Sequence, residues 1–192
     1  MEPQPRQYEM VGRQWPLSSE SDSHDGPLCC SNALTHRILR PSSTATIKFD
    51  YSVMVEGDRV GLTLLWDSSA WIGVVLNSGV ASVVMVSNCT MNMTTWDAIN
   101  TATEMAATGA SGGQIWLRVS VNIAPGPENQ EVFSYSFGGV AFTSLGPLFV
   151  LDSDWEFLYG ISIWNFQLCN RRAWRFCECG FFRLVHALAS WY

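Results

Sequence analysis

The chain has 192 residues, enough for one domain or at most two small ones. Apolar residues make up 47% and charged residues 15%, with a formal net charge of −6. This excludes an intrinsically disordered chain and a basic surface that grips nucleic acid, and no apolar run is long enough for a transmembrane helix. Neither nucleic acid nor membrane is therefore expected as a partner.

Charge and cysteine divide the chain. Residues 45–166 hold three basic and eleven acidic residues and one cysteine, Cys89. The other five, Cys29, Cys30, Cys169, Cys177 and Cys179, lie in the two ends. Residues 1–32 are rich in Pro, Ser, Gln and Asp and lack periodicity, which predicts a disordered head before a β-sandwich domain over 33–192. The opening MEPQPRQYEM is polar and does not read as a signal peptide; the compartment is left open.

From Thr46 the pattern changes. Ile47, Phe49, Tyr51, Val53 and Val55 alternate with polar residues, as one face of a strand requires. After the Glu56-Gly57-Asp58 turn, Val60–Trp66 and Ala70–Leu76 are nearly continuous apolar runs joined by Asp67-Ser68-Ser69. They predict a hairpin of central strands covered on both faces. Val83–Val86 is a further short strand. Thr95–Ala107 is alanine-rich and admits a helix, although its threonines speak against one.

Gly112-Gly113 opens the clearest strand. Ile115, Leu117, Val119, Val121 and Ile123 face one way, and Trp116, Arg118, Ser120 and Asn122 the other, up to Pro125-Gly126-Pro127. Phe133, Tyr135 and Phe137 alternate again. Strands are expected through Ala141–Leu145, Leu158–Phe166 and Phe181–His186. Many short strands with Gly/Pro turns predict an all-β, two-sheet antiparallel β-sandwich with Leu62, Leu64, Leu117, Val119, Val121, Phe133 and Tyr135 in its core.

Five blocks carry a resemblance. They are Gly57-Asp58-Arg59-Val60-Gly61-Leu62 with Asp67-Ser68-Ser69-Ala70-Trp71-Ile72-Gly73-Val74; Gly112-Gly113-Gln114-Ile115-Trp116-Leu117-Arg118-Val119; Phe133-Ser134-Tyr135-Ser136-Phe137-Gly138-Gly139-Val140-Ala141-Phe142; Leu145-Gly146-Pro147; and Asp152-Ser153-Asp154-Trp155 with Phe157 and Gly160. In this order, over about residues 45–166, the chain resembles the C-terminal concanavalin A-like β-sandwich of fungal glycoside hydrolase family 43, which includes β-xylosidases and α-L-arabinofuranosidases. The resemblance implies a concanavalin A-like jelly roll that packs against a catalytic five-bladed propeller, and in some members a loop of the sandwich helps close the active-site pocket. Thirty polar residues cannot supply a propeller. The resemblance thus implies an accessory domain of an enzyme of xylosyl or arabinosyl linkages, not catalytic alone, with a propeller as partner and no cofactor; xylo- or arabino-oligosaccharides are the candidate partners of a binding module. A stand-alone carbohydrate-binding module is the alternative, and the product of a truncated gene a third. Residues 167–180, with three Arg and three Cys, depart from the family pattern before Phe181-Phe182-Arg183-Leu184 returns to it. They are expected to form no regular part of the sandwich, as a misplaced intron boundary would leave them.

Candidate sites are few. Asp152, Asp154 and Glu156 alternate, so on a strand they would share a face at steps of roughly 6.6 Å. A glycosidase needs carboxyls about 5–5.5 Å apart for retention or about 6.5–9.5 Å apart for inversion, but a solvated turn is the favoured reading. Cys177-x-Cys179 with Cys169 and His186 is a poor match to zinc-site spacing, so no metal is expected. Adjacent Cys29-Cys30 cannot readily bridge to each other, and His24 and His36 lie among polar residues without visible partners. Trp66 and Trp71 flank a turn and are the carbohydrate-binding candidates, although the central position of their hairpin favours packing. Two Asn-x-Thr sequons, at Asn88 and Asn92, matter only in a secreted chain.

Overall fold

Alternating apolar residues build the two sheets. In the computed structural model the described residues are 7–8, 32–38, 42–65, 68–90, 102–122, 130–150, 162–168 and 178–187. Their strands, in chain order, are β1 (Gln7–Tyr8), β2 (Asn32–Arg37), β3 (Ser42–Asp50), β4 (Arg59–Leu65), β5 (Ser68–Asn77), β6 (Val80–Thr90), β7 (Thr103–Gly109), β8 (Gln114–Asn122), β9 (Gln130–Ser136), β10 (Thr143–Ser144), β11 (Phe149–Val150), β12 (Ser162–Leu168) and β13 (Glu178–Ala187). One sheet runs β1-β13-β3-β8-β9-β10, with β11 also on β9; the other runs β2-β12-β4-β5-β6-β7. The pairings between the described strands are antiparallel. The fold is the expected all-β, two-sheet antiparallel sandwich.

One core lies between the sheets. Ile47 and Phe49 of β3 stand opposite Leu117 and Ile115 of β8, and Val119 stands opposite Phe133 of β9. They share a buried cluster with Val60, Leu62 and Leu64 of β4, Ile72 and Val74 of β5, and Met85 of β6. Leu62, Leu64, Leu117, Val119, Val121 and Phe133 are buried as the alternation requires, while Tyr135 is half-buried against the same cluster. β4 and β5 are central strands, flanked by β12 and β6.

Local chemistry moves several boundaries. The first long strand ends at Asp50, because the Asp50 carboxylate accepts the Ser52 N–H at 3.0 Å and the Ser52 hydroxyl, an Asx-type turn. The alternation expected to reach Val55 therefore breaks: Val53 is 43% exposed and Met54 is buried instead. The turn that follows is tied down by Asp58, which accepts the Val55 N–H at 2.9 Å, and by Glu56, which accepts the Ser78 and Gly79 N–H groups. The strand expected over Val83–Val86 is eleven residues long. The helical option for Thr95–Ala107 fails at its C-terminal end, where Thr103–Gly109 pairs with β6 as a strand on the sheet edge. Residues 95–101 lie outside the described residues. Of the expected Ala141–Leu145 strand, Thr143 and Ser144 pair with β9 and the Leu145 N–H donates to the Phe133 carbonyl at 2.9 Å, while Phe137 lies past the end of β9, 39% exposed.

At the chain ends, Gln7–Tyr8 of the polar head pairs with Phe182 and Arg183 of β13. Of the Leu158–Phe166 strand, β12 covers Ser162 onward and extends to Leu168; residues 158–161 lie outside the described residues. β13 begins at Glu178, and its register on β3 shifts between Cys179 and Phe181. The atypical segment therefore contributes strand residues at both its margins, and Cys169–Cys177 lies outside the described residues.

Candidate functional site

The alternation that sends Leu117 and Val119 inward sends Trp116 and Arg118 to the outer face of the first sheet. Register then builds rows across three strands: Lys48, Trp116 and Ser136; Thr46, Arg118 and Ser134; and, across β3 and β8, Asp50 and Gln114. The Lys48 Nζ lies 4.8 Å from the centroid of the Trp116 ring, and the Arg118 guanidinium lies 3.5 Å from that of Phe142. Each such cation–π contact is worth about 0.5–1 kcal/mol at an exposed site. The Arg118 Nε–H donates to Thr46 Oγ1 at 3.0 Å, and Gln114 Nε2 donates to Asp50 Oδ2 at 3.1 Å. Hydrogen bonds from Ser52 and Gln114, helped by the Lys48 charge, hold the Asp50 carboxyl below its ordinary pKa.

The loop after β9 closes over this face. The Ser136 hydroxyl accepts the Gly138 and Gly139 N–H groups at 3.3 and 2.9 Å. Gly139 has φ +73°, and a Cβ there would stand 2.8 Å from the Trp116 ring, so only glycine lets the backbone press onto the indole. The result is an aromatic ring among fixed amide, hydroxyl and cationic donors. Such a surface can hold a polar ring-bearing ligand by stacking and hydrogen bonding. Phe137, Val140, Leu148 and Val150, which follow on the same edge, are exposed, Val140 by 90%.

Of the two tryptophans singled out from the sequence, Trp71 lies among the described residues. Trp71 is 9% exposed and packs with Val75, Val84 and Val86 on the outer face of the second sheet, away from the core between the sheets. Its ring lies over Gly73, where a Cβ would come within 2.9 Å of it. Trp66, Asp152, Asp154, Glu156, Cys29, Cys30, Cys169, Cys177 and His24 lie outside the described residues. His36 pairs with Ile163 in the β2–β12 ladder, and His186 and Cys179 pair with Ser43 and Phe49 in the β13–β3 ladder. Among the described residues no group of three His, Cys, Asp or Glu could hold a metal. Lys48, the β8 pair Trp116 and Arg118, and Phe142 come from three separate segments, so no local pattern marks them as a set. The outward phase of the β8 alternation was visible, but only the β3–β8 register brings the set together.

The family model of the GH43 β-xylosidase C-terminal concanavalin A-like domain matches residues 4–156, which includes most of the polar head. A GH43 glycoside hydrolase, engineered at its active site to display both endo-xylanase and exo-arabinofuranosidase activity, is similar with a TM-score of 0.71 and 28% identity over 82% of this chain. A bifunctional GH43-CE protein of Bacteroides eggerthii gives 0.69 and 19% over 88%. The GH43 protein BlXynB of Bacillus licheniformis gives 0.62 and 16% over 82%. The last two show the fold alone. This chain covers only 31%, 20% and 30% of those three proteins. No curated protein sequence matches it. With a family match over four fifths of its length and the sandwich that the family requires, the chain belongs to the β-xylosidase C-terminal concanavalin A-like domain family of glycoside hydrolase family 43.

Proposed function

We propose that the chain is the accessory β-sandwich of a family 43 glycoside hydrolase of the fungal β-xylosidase and arabinofuranosidase type, acting on xylosyl or arabinosyl linkages, and that it does not hydrolyse them alone. The observation that carries this is the family match over residues 4–156, on a fold that occupies about a third of its 28%-identical relative. In this reading a catalytic propeller supplies the acid and base. The exposed apolar residues Phe137, Val140, Leu148 and Val150 support a face on the β9 edge that packs against it. Sequencing the mature transcript through its full coding region tests the proposal. A propeller-encoding frame joined to this one is expected; a mature transcript that codes for these 192 residues alone would overturn it.

A second reading, a stand-alone carbohydrate-binding module, is favoured by one observation: the ring of Trp116 set among Lys48, Arg118 and Gln114 on an outer sheet face. Its ligands would be xylo- or arabino-oligosaccharides. Trp71 is only 9% exposed, so binding in this reading runs through Trp116, with Trp66 as the other candidate.

A further inference from the structure

We propose that Asn88 is an N-glycosylation acceptor, and that the β-bulge in β6 is what lets the folded domain carry a glycan there. Asn88-Cys89-Thr90 is an Asn-x-Thr sequon. Most strand residues would make poor glycan carriers, since their side chains alternate between a packed core and a crowded sheet face. Asn88 escapes that alternation. The β5–β6 ladder pairs Ser69 with Cys89 and Trp71 with Val86, so the single residue Ala70 faces both Ser87 and Asn88. The extra residue is Asn88, with φ 60°. Asparagine is among the few residue types that accept this left-handed conformation readily. A bulge re-aims a side chain. Here Asn88 is exposed while its neighbours Ser87 and Cys89 are buried.

A second feature opens the same spot. The β6–β7 ladder ends at the pair Ser87–Thr103, so in the described ladders residues 88–90 have strand partners only on the β5 side. An oligosaccharide on Asn88 therefore leaves past the end of β7 without crossing any strand among the described residues.

In the transfer, the Asn88 Nδ2 bonds to C1 of the reducing-end sugar of a lipid-linked pyrophosphate oligosaccharide. The C1–O bond to the pyrophosphate breaks, the lipid pyrophosphate leaves, and one amide proton goes to the transferase. No oxidant or reductant is needed.

The test expresses the full chain behind a cleavable secretory leader in a eukaryotic host, in an Asn92→Gln background that removes the second sequon. Cells and medium are both analysed, so that retained protein is read as well. The expected result is a single-glycan mobility shift that peptide-N-glycosidase removes, leaving aspartate at position 88 by peptide mass. The shift should be absent from Asn88→Asp, which keeps a side chain tolerant of the left-handed backbone, and from Thr90→Ala, which leaves Asn88 in place. The glycosylated chain should melt no earlier than its deglycosylated form. An unshifted Asn92→Gln chain, a shift that persists in Asn88→Asp, or a marked fall in melting temperature on glycosylation would each overturn the proposal.

Discussion

Leu117→Ala tests the fold through its most constrained residue. Leu117 is fully buried, and its strand is hydrogen-bonded on both sides, opposite Ile47 of β3 and Tyr135 of β9. The substitution removes three carbons, worth about 2.4 kcal/mol at ~0.8 kcal/mol per buried CH₂. A cavity cost is added, because β8 cannot close the void without breaking two ladders, so the loss belongs in the upper half of the usual ~2–5 kcal/mol for Leu→Ala. A destabilisation of about 3.5–5 kcal/mol lowers Tm by roughly 7–20 °C in a chain of this size. Chemical denaturation should show a lower midpoint with an unchanged slope. Gln114→Ala, on the exposed face of the same strand, loses its bond to Asp50 but buries nothing, and should cost far less than Leu117→Ala. A Leu117→Ala loss below about 0.5 kcal/mol would refute the argument, since it would mean the faces of β8 are reversed.

Gly139→Ala should destabilise the domain by about 1–3 kcal/mol, since its left-handed backbone and its press against Trp116 both exclude a Cβ. Gly138→Ala, which meets nothing within 4 Å, should be much milder; equal effects in thermal unfolding would contradict the loop geometry. Asp50 has a folded pKa below its ordinary 3.8, so its contribution is complete above that value and is lost as pH falls through the lower folded one. Asp50→Asn should therefore flatten the fall of Tm with acidification below about pH 4, and an unchanged acid slope would remove the Ser52 and Gln114 bonds from the account. The accessory reading expects no saturable quenching of tryptophan fluorescence by xylo- or arabino-oligosaccharides. Saturable quenching lost in Trp116→Ala would establish the binding-module reading in its place.

The sandwich was legible where one physical rule acts along one strand. Period-two alternation placed Ile115 to Val121 correctly, because burial of one sheet face dominates there. It failed past Asp50, where a side chain competing for the backbone N–H of Ser52 ends the strand despite the apolar pattern. It also gave no warning of Glu131. The phase that buries Phe133 turns Glu131 inward as well, and the residue is fully buried, against the ordinary preference of a carboxylate. Thr103–Gly109 carries weak strand propensity and forms a strand because β6 offers it an edge. The array of Lys48, Trp116, Arg118 and Phe142 required the register between strands about 70 residues apart, which no local pattern encodes.

In the proposed role this sandwich serves a hydrolase and does not hydrolyse the linkage alone. The most direct measurement is turnover of aryl β-xylosides and aryl α-L-arabinofuranosides by the purified 192-residue chain. The account expects no hydrolysis above the uncatalysed rate. Turnover that co-purifies with the chain and vanishes in Asp154→Asn would contradict it.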